Sequence, residues 1–378
     1  MTKDNTRPVR VLHIASGDLW AGAEVQLFTL AKALKNYTNT AVDIILLNHG
    51  VLEEKLLSKG INVIILDESK LSSLAILWKL IRIIHEIKPS VIHTHRIKEN
   101  ILGSVAARLN GNIPSLRTAH GAQESTLSWQ QLPKRIVRWL DLFSGRYLQQ
   151  MIISVSEDLA EKLRKDFPPK IIHVIENGID IKELQNHAID KSENTRTEAF
   201  KVGFAGRLVP VKRIDIIIKT ARHILDNYPK LDIEFYIYGD GPQREELEHL
   251  NRTLKTDGIV SFEGHRDDIF EKIQEIDALI LTSDHEGLPM ILLESMALGT
   301  PIISHAIGGI PNLLNQGECG ILIPENKARS YAVAINQLAN CSRKILEITQ
   351  LAKQHVNENY SADANAQTYY LQYKSLTR

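Results

Sequence analysis

The chain has 378 residues, 45 Lys+Arg against 45 Asp+Glu for a formal net charge of zero, 43% hydrophobic and 24% charged residues. That is an ordinary globular balance, long enough for two domains with real cores, and it carries no basic excess that would mark nucleic acid as a partner. Two cysteines, Cys319 and Cys341, exclude a disulfide framework and lack metal-ligand spacing, which fits a reducing cytoplasm.

The first residues, MTKDNTRPVRVLHIASG, lack the apolar stretch of a signal peptide. No apolar window reaches the roughly 18–20 residues of a membrane span, so any membrane contact is expected to be peripheral. Short β-branched runs then alternate with amphipathic stretches. VRVLHIA (9–15), VDIILLN (42–48), VIILD (63–67), SVIHTH (90–95) and MIISVS (151–156) read as buried strands, with helical stretches at 23–34 and 74–87 between them. This alternation means βαβ units and a mainly parallel sheet. The interval 181–200 is polar and aperiodic, and reads as a linker or surface loop.

After the linker the pattern restarts. KVGFAG (201–206), IEFYIYG (233–239), IVSFEG (259–264), ALILTS (278–283) and PIISHA (301–306) read as strands, with helices at 214–228 and 289–299. The tail from about Lys344 to Arg378 reads as helical. The predicted architecture is α/β, two Rossmann-like domains facing across a cleft. The first spans 1–185, joined by the C-terminal helix at about 360–378, and the second spans 200–358.

In open parallel sheets, ligands bind beyond the carboxyl ends of the strands. Arg207 and Lys212 follow the run 201–206. Arg offers planar donors and Lys a compact charge, so together they suit a diphosphate, although two solvated surface charges would look the same. Asp284-His285-Glu286-Gly287-Leu288-Pro289 follows the run 278–283, and Pro289 suits a first helical turn, whose free N–H groups favour an anion. Glu294 sits in the otherwise apolar MILLESMALG; a buried carboxylate needs donors, either sugar hydroxyls or a neighbouring segment. Gly308-Gly309, ahead of an expected helix, permit close backbone approach to a ligand or simply make a turn. The glycines of Gly239-Asp240-Gly241-Pro242 are read as serving turn geometry.

Taken together, Glu286-x7-Glu294, Arg207-x4-Lys212, Gly239-Asp240-Gly241-Pro242 and Gly308-Gly309 resemble the retaining glycosyltransferase family 4 group, and the likeness runs over nearly the whole chain. The resemblance implies the GT-B fold. It places Glu286 on the donor sugar, Glu294 on the ribose hydroxyls, and Arg207 and Lys212 on the diphosphate. It also makes Glu263-Gly264-His265-Arg266 the segment whose backbone holds the base.

In the first half, Ala21-Gly22-Ala23-Glu24 stands where the family usually has a Gly-Gly pair, and Gly22 is the glycine expected nearest the donor phosphates. His120, in Thr118-Ala119-His120-Gly121, matches the family His that approaches the donor sugar; without the resemblance it would read as a core His. Glu24 is the nearest candidate for an inverting base and otherwise touches the acceptor. His93 and His95 share one strand face, but no third ligand of suitable spacing is evident, and no metal site is expected.

The stretch Trp129 to Gln150 carries Lys134, Arg135, Arg138 and Arg146, with Trp129, Leu132, Ile136, Leu140 and Phe143 on one face. It reads as a core helix with a solvated basic face; a lipid-linked acceptor would turn that face to the cytoplasmic surface of the membrane.

The chain contains no Asp-x-Asp. That agrees with a metal-independent enzyme needing no cofactor, in which cations and helix N-termini stabilise the leaving group. The expected function is transfer from a UDP- or GDP-sugar to a glycan or lipid-linked hydroxyl with retention, in cell-surface polysaccharide or lipopolysaccharide synthesis. His120 and Gly22 are expected to close onto the four charged residues. The alternatives are a nucleotide-sugar epimerase or hydrolase on the same fold, or a non-catalytic sugar-nucleotide-binding protein. A dinucleotide oxidoreductase would need Gly-x-Gly-x-x-Gly after the first strand, which Ser-Gly-Asp-Leu-Trp-Ala-Gly does not supply.

Overall fold

The computed structural model describes residues 8–18, 20–37, 39–121, 132–186 and 199–377, the side chains of 132–134 and 185–186 excepted. They form two compact units, Met1–Gly178 with Ala362–Arg378, and Ile179–Ser361.

The first unit holds strands β1 Val9–Ala15, β2 Thr40–Leu46, β3 Asn62–Ile65, β4 Val91–Thr94, β5 Ser115–Ala119, β6 Met151–Ser154 and β7 Ile172–Val174. They make one parallel sheet in the order β3-β2-β1-β4-β5-β6-β7. Helices cover its faces, so the strands are continuous apolar runs rather than alternating ones. Val11, Leu12 and Ile14 of β1 are wholly buried. The strand order reverses between β1 and β4, which places the ends of these strands at the topological switch point.

The second unit holds β8 Phe200–Ala205, β9 Ile233–Tyr238, β10 Val260–Gly264, β11 Ala278–Leu281, β12 Ile302–His305 and β13 Ile321–Ile323. Its parallel order is β10-β9-β8-β11-β12-β13, with the switch point between β8 and β11. Strands β7 and β13 have only three residues each, too few for a periodic signal.

The tail is two helices, Ser342–Asn359 and Ala362–Leu376. Between them the Tyr360 carbonyl accepts from the Ile179 N–H at 2.8 Å, where the chain passes from one unit to the other. The second helix buries Tyr369 and Tyr373 against β1, β4, β5 and β6 in the first unit's core. The interval read as linker begins with a short helix, Ile181–Asn186, started by Asp180 Oδ1 accepting from the Glu183 N–H at 3.0 Å and anchored by buried Leu184. The rest of that interval, 187–198, lies outside the described residues.

The basic segment departs from expectation. Helix Leu132–Phe143 continues as a π-helical turn, Ser144–Leu148, and Trp129 lies outside the described residues. Of the face read as core, Ile136 is 59% exposed and Phe143 is also exposed, while Leu140 is half-buried; beside them Trp139 is 62% and Tyr147 72% exposed. What faces inward is Leu142, packed against the cluster around Ile152 and Phe167, together with one polar and one small residue. Asp141 pairs with buried Arg117 at 2.7 Å, and a Cβ on Gly145 would lie 2.4 Å from the Phe167 ring. The π-turn keeps Gly145 against that ring. No helix among the described residues is long and apolar enough to cross a membrane.

Candidate active site

In the second unit, the ends of β8 and β11 are locked together by backbone. The Asp284 N–H donates to the Val211 carbonyl at 2.8 Å, and the Thr282 hydroxyl bridges the carbonyls of Lys212 and Arg213 at 2.9 Å each. Asn326 Nδ2 reaches the Thr282 carbonyl at 2.8 Å and Asp284 at 3.0 Å, itself held by the buried Tyr331 hydroxyl at 2.9 Å. Arg213, in the left-handed region at φ 50°, turns the chain into helix Ile214–Asn227 and bonds Asp215 and Asp284. This scaffold fixes the two loops that carry the charged candidates.

The structure brings Lys212 and Glu286 together. Lys212 Nζ donates to Glu286 Oε1 at 2.5 Å, and the Ser283 hydroxyl donates to the same oxygen at 2.6 Å. Oε2 of Glu286 has no partner among the described residues. One carboxylate oxygen is thus held by two donors, and the other is free among the described residues. Arg207 is exposed and its guanidinium is unpaired among the described residues. The sequence reading treats the two cations alike; the structure leaves Arg207 as the free charge and ties Lys212 to Glu286.

Glu294 lies in helix Met290–Leu298, 9% exposed, and its carboxylate has no hydrogen-bond partner among the described residues. Burial alone pushes its pKa up to about 7. Pro289 is the residue before the helix rather than in its first turn, so Met290 and Ile291 present their N–H groups uncapped. Gly308, at φ 58°, packs on this loop: a Cβ there would lie 2.0 Å from the Glu286 carbonyl oxygen. The Gly309 N–H donates to the Gly287 carbonyl at 3.1 Å. The close approach that these glycines allow is therefore to the Glu286-Gly287-Leu288 backbone, and the helix after them is a single turn, Ile310–Leu313. Gly239 and Gly241 act in the same way, since Cβ atoms would lie 1.9 Å and 2.4 Å from the carbonyls of Gly206 and Leu208. His265 is exposed near Asp267, and Arg266 is engaged by Asp268 at 2.8 Å, so neither side chain is aimed at another candidate.

In the first unit, Gly22 opens helix Gly22–Lys35 behind Ala21, which supplies no side-chain cap. Glu24, 4% exposed, pairs with Arg96 through one oxygen and has the other unpartnered; burial raises its pKa. Arg96 also holds Asp18 at 3.1 Å. His120 stands just past β5, half-buried, with Nε2 3.3 Å from His95 Nδ1.

Sequence reasoning misses His13. It lies opposite His93 in the β1–β4 register, and the ligand atoms of His13, His93 and His95 lie within 4.8 Å of one another. The signal was present as a lone His in an apolar strand, but only the pairing of β1 with β4 makes it a third imidazole. Both nitrogens of His93 are engaged, Nδ1 by the Tyr373 hydroxyl at 2.8 Å and Nε2 by the Thr118 hydroxyl at 2.7 Å. Ser283, Arg213, Asn326 and Arg96 are also missed, because each acts by holding a neighbour across the fold.

Residues 20–183 match the family described as Glycosyltransferase Family 4, and residues 199–341 that described as Glycosyl transferases group 1. The chain is 29% identical over 311 residues to an Escherichia coli protein named UDP-Gal:alpha-D-GlcNAc-diphosphoundecaprenol alpha-1,3-galactosyltransferase, covering 77% of this chain and 78% of that one. It is 24% identical over 311 residues to the N-acetyl-alpha-D-glucosaminyl L-malate synthase of Bacillus anthracis, covering 81% and 80%. Anabaena Alr3699/HepE, solved in complex with UDP-glucose, superposes with a TM-score of 0.82 at 21% identity over 97% of this chain and 99% of that one, a likeness of fold. With both units matched, the chain belongs to the family 4, group 1 glycosyltransferases and is a glycosyltransferase of the GT-B fold.

Proposed function

We propose that this enzyme moves a hexosyl group from a nucleoside-diphosphate-sugar, a UDP-sugar before a GDP-sugar, to a hydroxyl of a glycan or lipid-linked acceptor with retention. The observation that carries this reading is Glu294: a carboxylate in an apolar helix, buried and without a hydrogen-bond partner among the described residues, is costly until donors reach it. The two hydroxyls of a ribose are such donors. Arg207 and Lys212 then face the diphosphate, with the uncapped N–H groups beyond Gly287-Leu288-Pro289 adding positive potential. The unpartnered oxygen of Glu286 takes a donor-sugar hydroxyl, and Gly308 and Gly309 hold the Glu286 loop in place. The backbone at His265 and Arg266 holds the base, Gly22 approaches the phosphates, and His120 bonds the sugar. The uridine preference is supported by the named substrate of the E. coli relative and by the UDP-glucose bound to HepE.

As the C1–O bond breaks, the sugar gains oxocarbenium character and negative charge grows on the departing diphosphate, where Arg207 stabilises it. The acceptor hydroxyl attacks from the face the diphosphate leaves, and its proton passes to a phosphate oxygen. In this reading the cations do the work of a metal, so activity survives a chelator. A thermal-shift screen of nucleotide sugars, followed by donor hydrolysis and NMR of the product anomer, tests it. An inverted product, or a free epimer formed from the donor alone, contradicts it.

The outward face of helix Leu132–Phe143 extends the reading to a lipid-linked acceptor at the cytoplasmic membrane face, in cell-surface polysaccharide or lipopolysaccharide synthesis. Trp139, Phe143 and Tyr147 form a row of exposed rings with centroids 5.6 Å and 5.2 Å apart. Residues 132–148 hold Lys134, Arg135, Arg138 and Arg146 against the single acid Asp141. Aromatic rings flanked by cations suit an anionic bilayer surface.

A further inference from the structure

Side chains two apart on a strand share a face, so His95 joins His93, and His13 stands beside them on β1. His13, His95 and His120 form a row. The ring planes of His13 and His95 lie 20° apart at 5.4 Å, and those of His95 and His120 23° apart at 5.6 Å. His13 Nδ1 is 3.1 Å from His95 Nε2, and His95 Nδ1 is 3.3 Å from His120 Nε2. Each contact holds one proton, with one nitrogen donating and the other accepting. Burial keeps the rings uncharged at neutral pH, holding His13 at about 3, His120 at about 4 and His95 well below the usual range.

A neutral row has only two arrangements: every ring protonated on Nδ1, or every ring on Nε2. The closed end of the row decides between them. His13 Nε2 is buried and has no partner among the described residues. In the second arrangement it would be a buried N–H without an acceptor, and orphaned donors are rarer than under-used acceptors. The first arrangement leaves only a lone pair there. It also leaves His120 with Nδ1–H, which has no partner among the described residues.

We propose that His13 and His95 are positioning residues that fix His120 as its Nδ1–H tautomer, so that His120 meets the sugar as a hydrogen-bond donor and not as a base. The functional half rests on the reading that His120 contacts the donor sugar; the tautomer does not. The same imidazoles are a rival site for a zinc ion. That site would have to take nitrogens of His93 already bound to Tyr373 and Thr118, and the nitrogens that make the row.

The test is a long-range ¹H–¹⁵N spectrum of the histidine-labelled full chain without donor, with the His120 signals assigned by their loss in His120→Gln. The expected result is a protonated, pyrrole-type Nδ1 and an unprotonated Nε2 at His120. The reverse pattern, an averaged pattern, or one equivalent of zinc in the purified chain would overturn the proposal. His95→Leu should lower kcat/KM about five- to tenfold, the loss of one hydrogen bond. His95→Gln should recover it, because its amide donates to His120 Nε2 while its carbonyl accepts from His13. If the spectrum is as expected and His95→Leu leaves kcat/KM unchanged, the sugar contact fails and the tautomer assignment stands. Equal losses in the Leu and Gln variants contradict positioning by hydrogen bonding.

Discussion

The histidine row of the first unit and Glu294 of the second bury ionisable groups in opposite ways. In the first, His93 is saturated by two hydroxyls, and His13, His95 and His120 satisfy one another except at the ends of the row. In the second, Glu294 is buried and its carboxylate accepts no hydrogen bond from the described residues. A group satisfied by its own fold is scaffold, or sets the orientation of a neighbour. A group that the fold leaves unsatisfied adds to the cost of folding, and that cost is recovered only when a ligand arrives. The difference separates residues that shape a site from residues that define what enters it.

The largest expected effect tests the charged side of this contrast. Arg207→Ala should lower kcat by about 10²–10³-fold, as removal of one preorganised charge-stabilising donor does, with circular dichroism and melting unchanged because Arg207 is exposed and unpaired. A wild-type turnover number would remove it from the mechanism. Next, Glu294→Gln should stabilise the unliganded protein above pH 7 by up to about 3 kcal/mol. The sign follows from its raised pKa of about 7. Between the unfolded value of 4.5 and about 7, the unfolded state gives up a proton that the folded state keeps, so stability falls as pH rises through this window. Urea unfolding of both proteins at pH 5 and pH 8 reads the difference, which should fall to about 1 kcal/mol at pH 5. A variant equally stable at both pH values would show that Glu294 is already satisfied.

Gly308→Ala should cost about 1–3 kcal/mol, because a Cβ at φ 58° meets the Glu286 carbonyl at 2.0 Å. It should also raise KM for the donor by moving Glu286. A melting temperature and KM like wild type would separate the two loops. The smallest effect is on location. Replacing Trp139 and Phe143 by Ser should reduce sedimentation with anionic vesicles several-fold while donor hydrolysis is kept, since these rings lie at the surface and pack mainly on one another. Unchanged sedimentation would leave that face without a lipid partner.

The alternation of runs made the parallel sheets legible, because strands covered on both faces are apolar throughout. The ends of β8 and β11 were legible because charged residues directly after such runs stand out. Glu294 was legible from composition: one carboxylate in MILLESMALG. What escaped depends on pairing between distant segments. His13 needs the β1–β4 register, and the Lys212–Glu286 pair spans 74 residues that only the fold brings together. In helix Leu132–Phe143 an apolar stripe states that a face is apolar and not what covers it; the inner side is anchored by Leu142, Asp141 and Gly145, and the last two are weak signals in sequence. The pair Gly308-Gly309 reads as a ligand approach or as a plain turn; Gly308 packs on the Glu286 carbonyl and Gly309 bonds that of Gly287, a pairing that only the fold reveals.

The central claim, that Glu294 waits for nucleotide hydroxyls, is tested most directly by calorimetry at pH 6.5 with the UDP-sugar that shifts melting most, in buffers of different ionisation enthalpy. Below a pKa of about 7 the free carboxyl is mostly protonated, and hydroxyl donors favour its ionised form. The account therefore expects wild type to release most of one proton on binding, and Glu294→Gln to bind at least tenfold more weakly and release none. Equal affinity and equal proton release in the two proteins would contradict it.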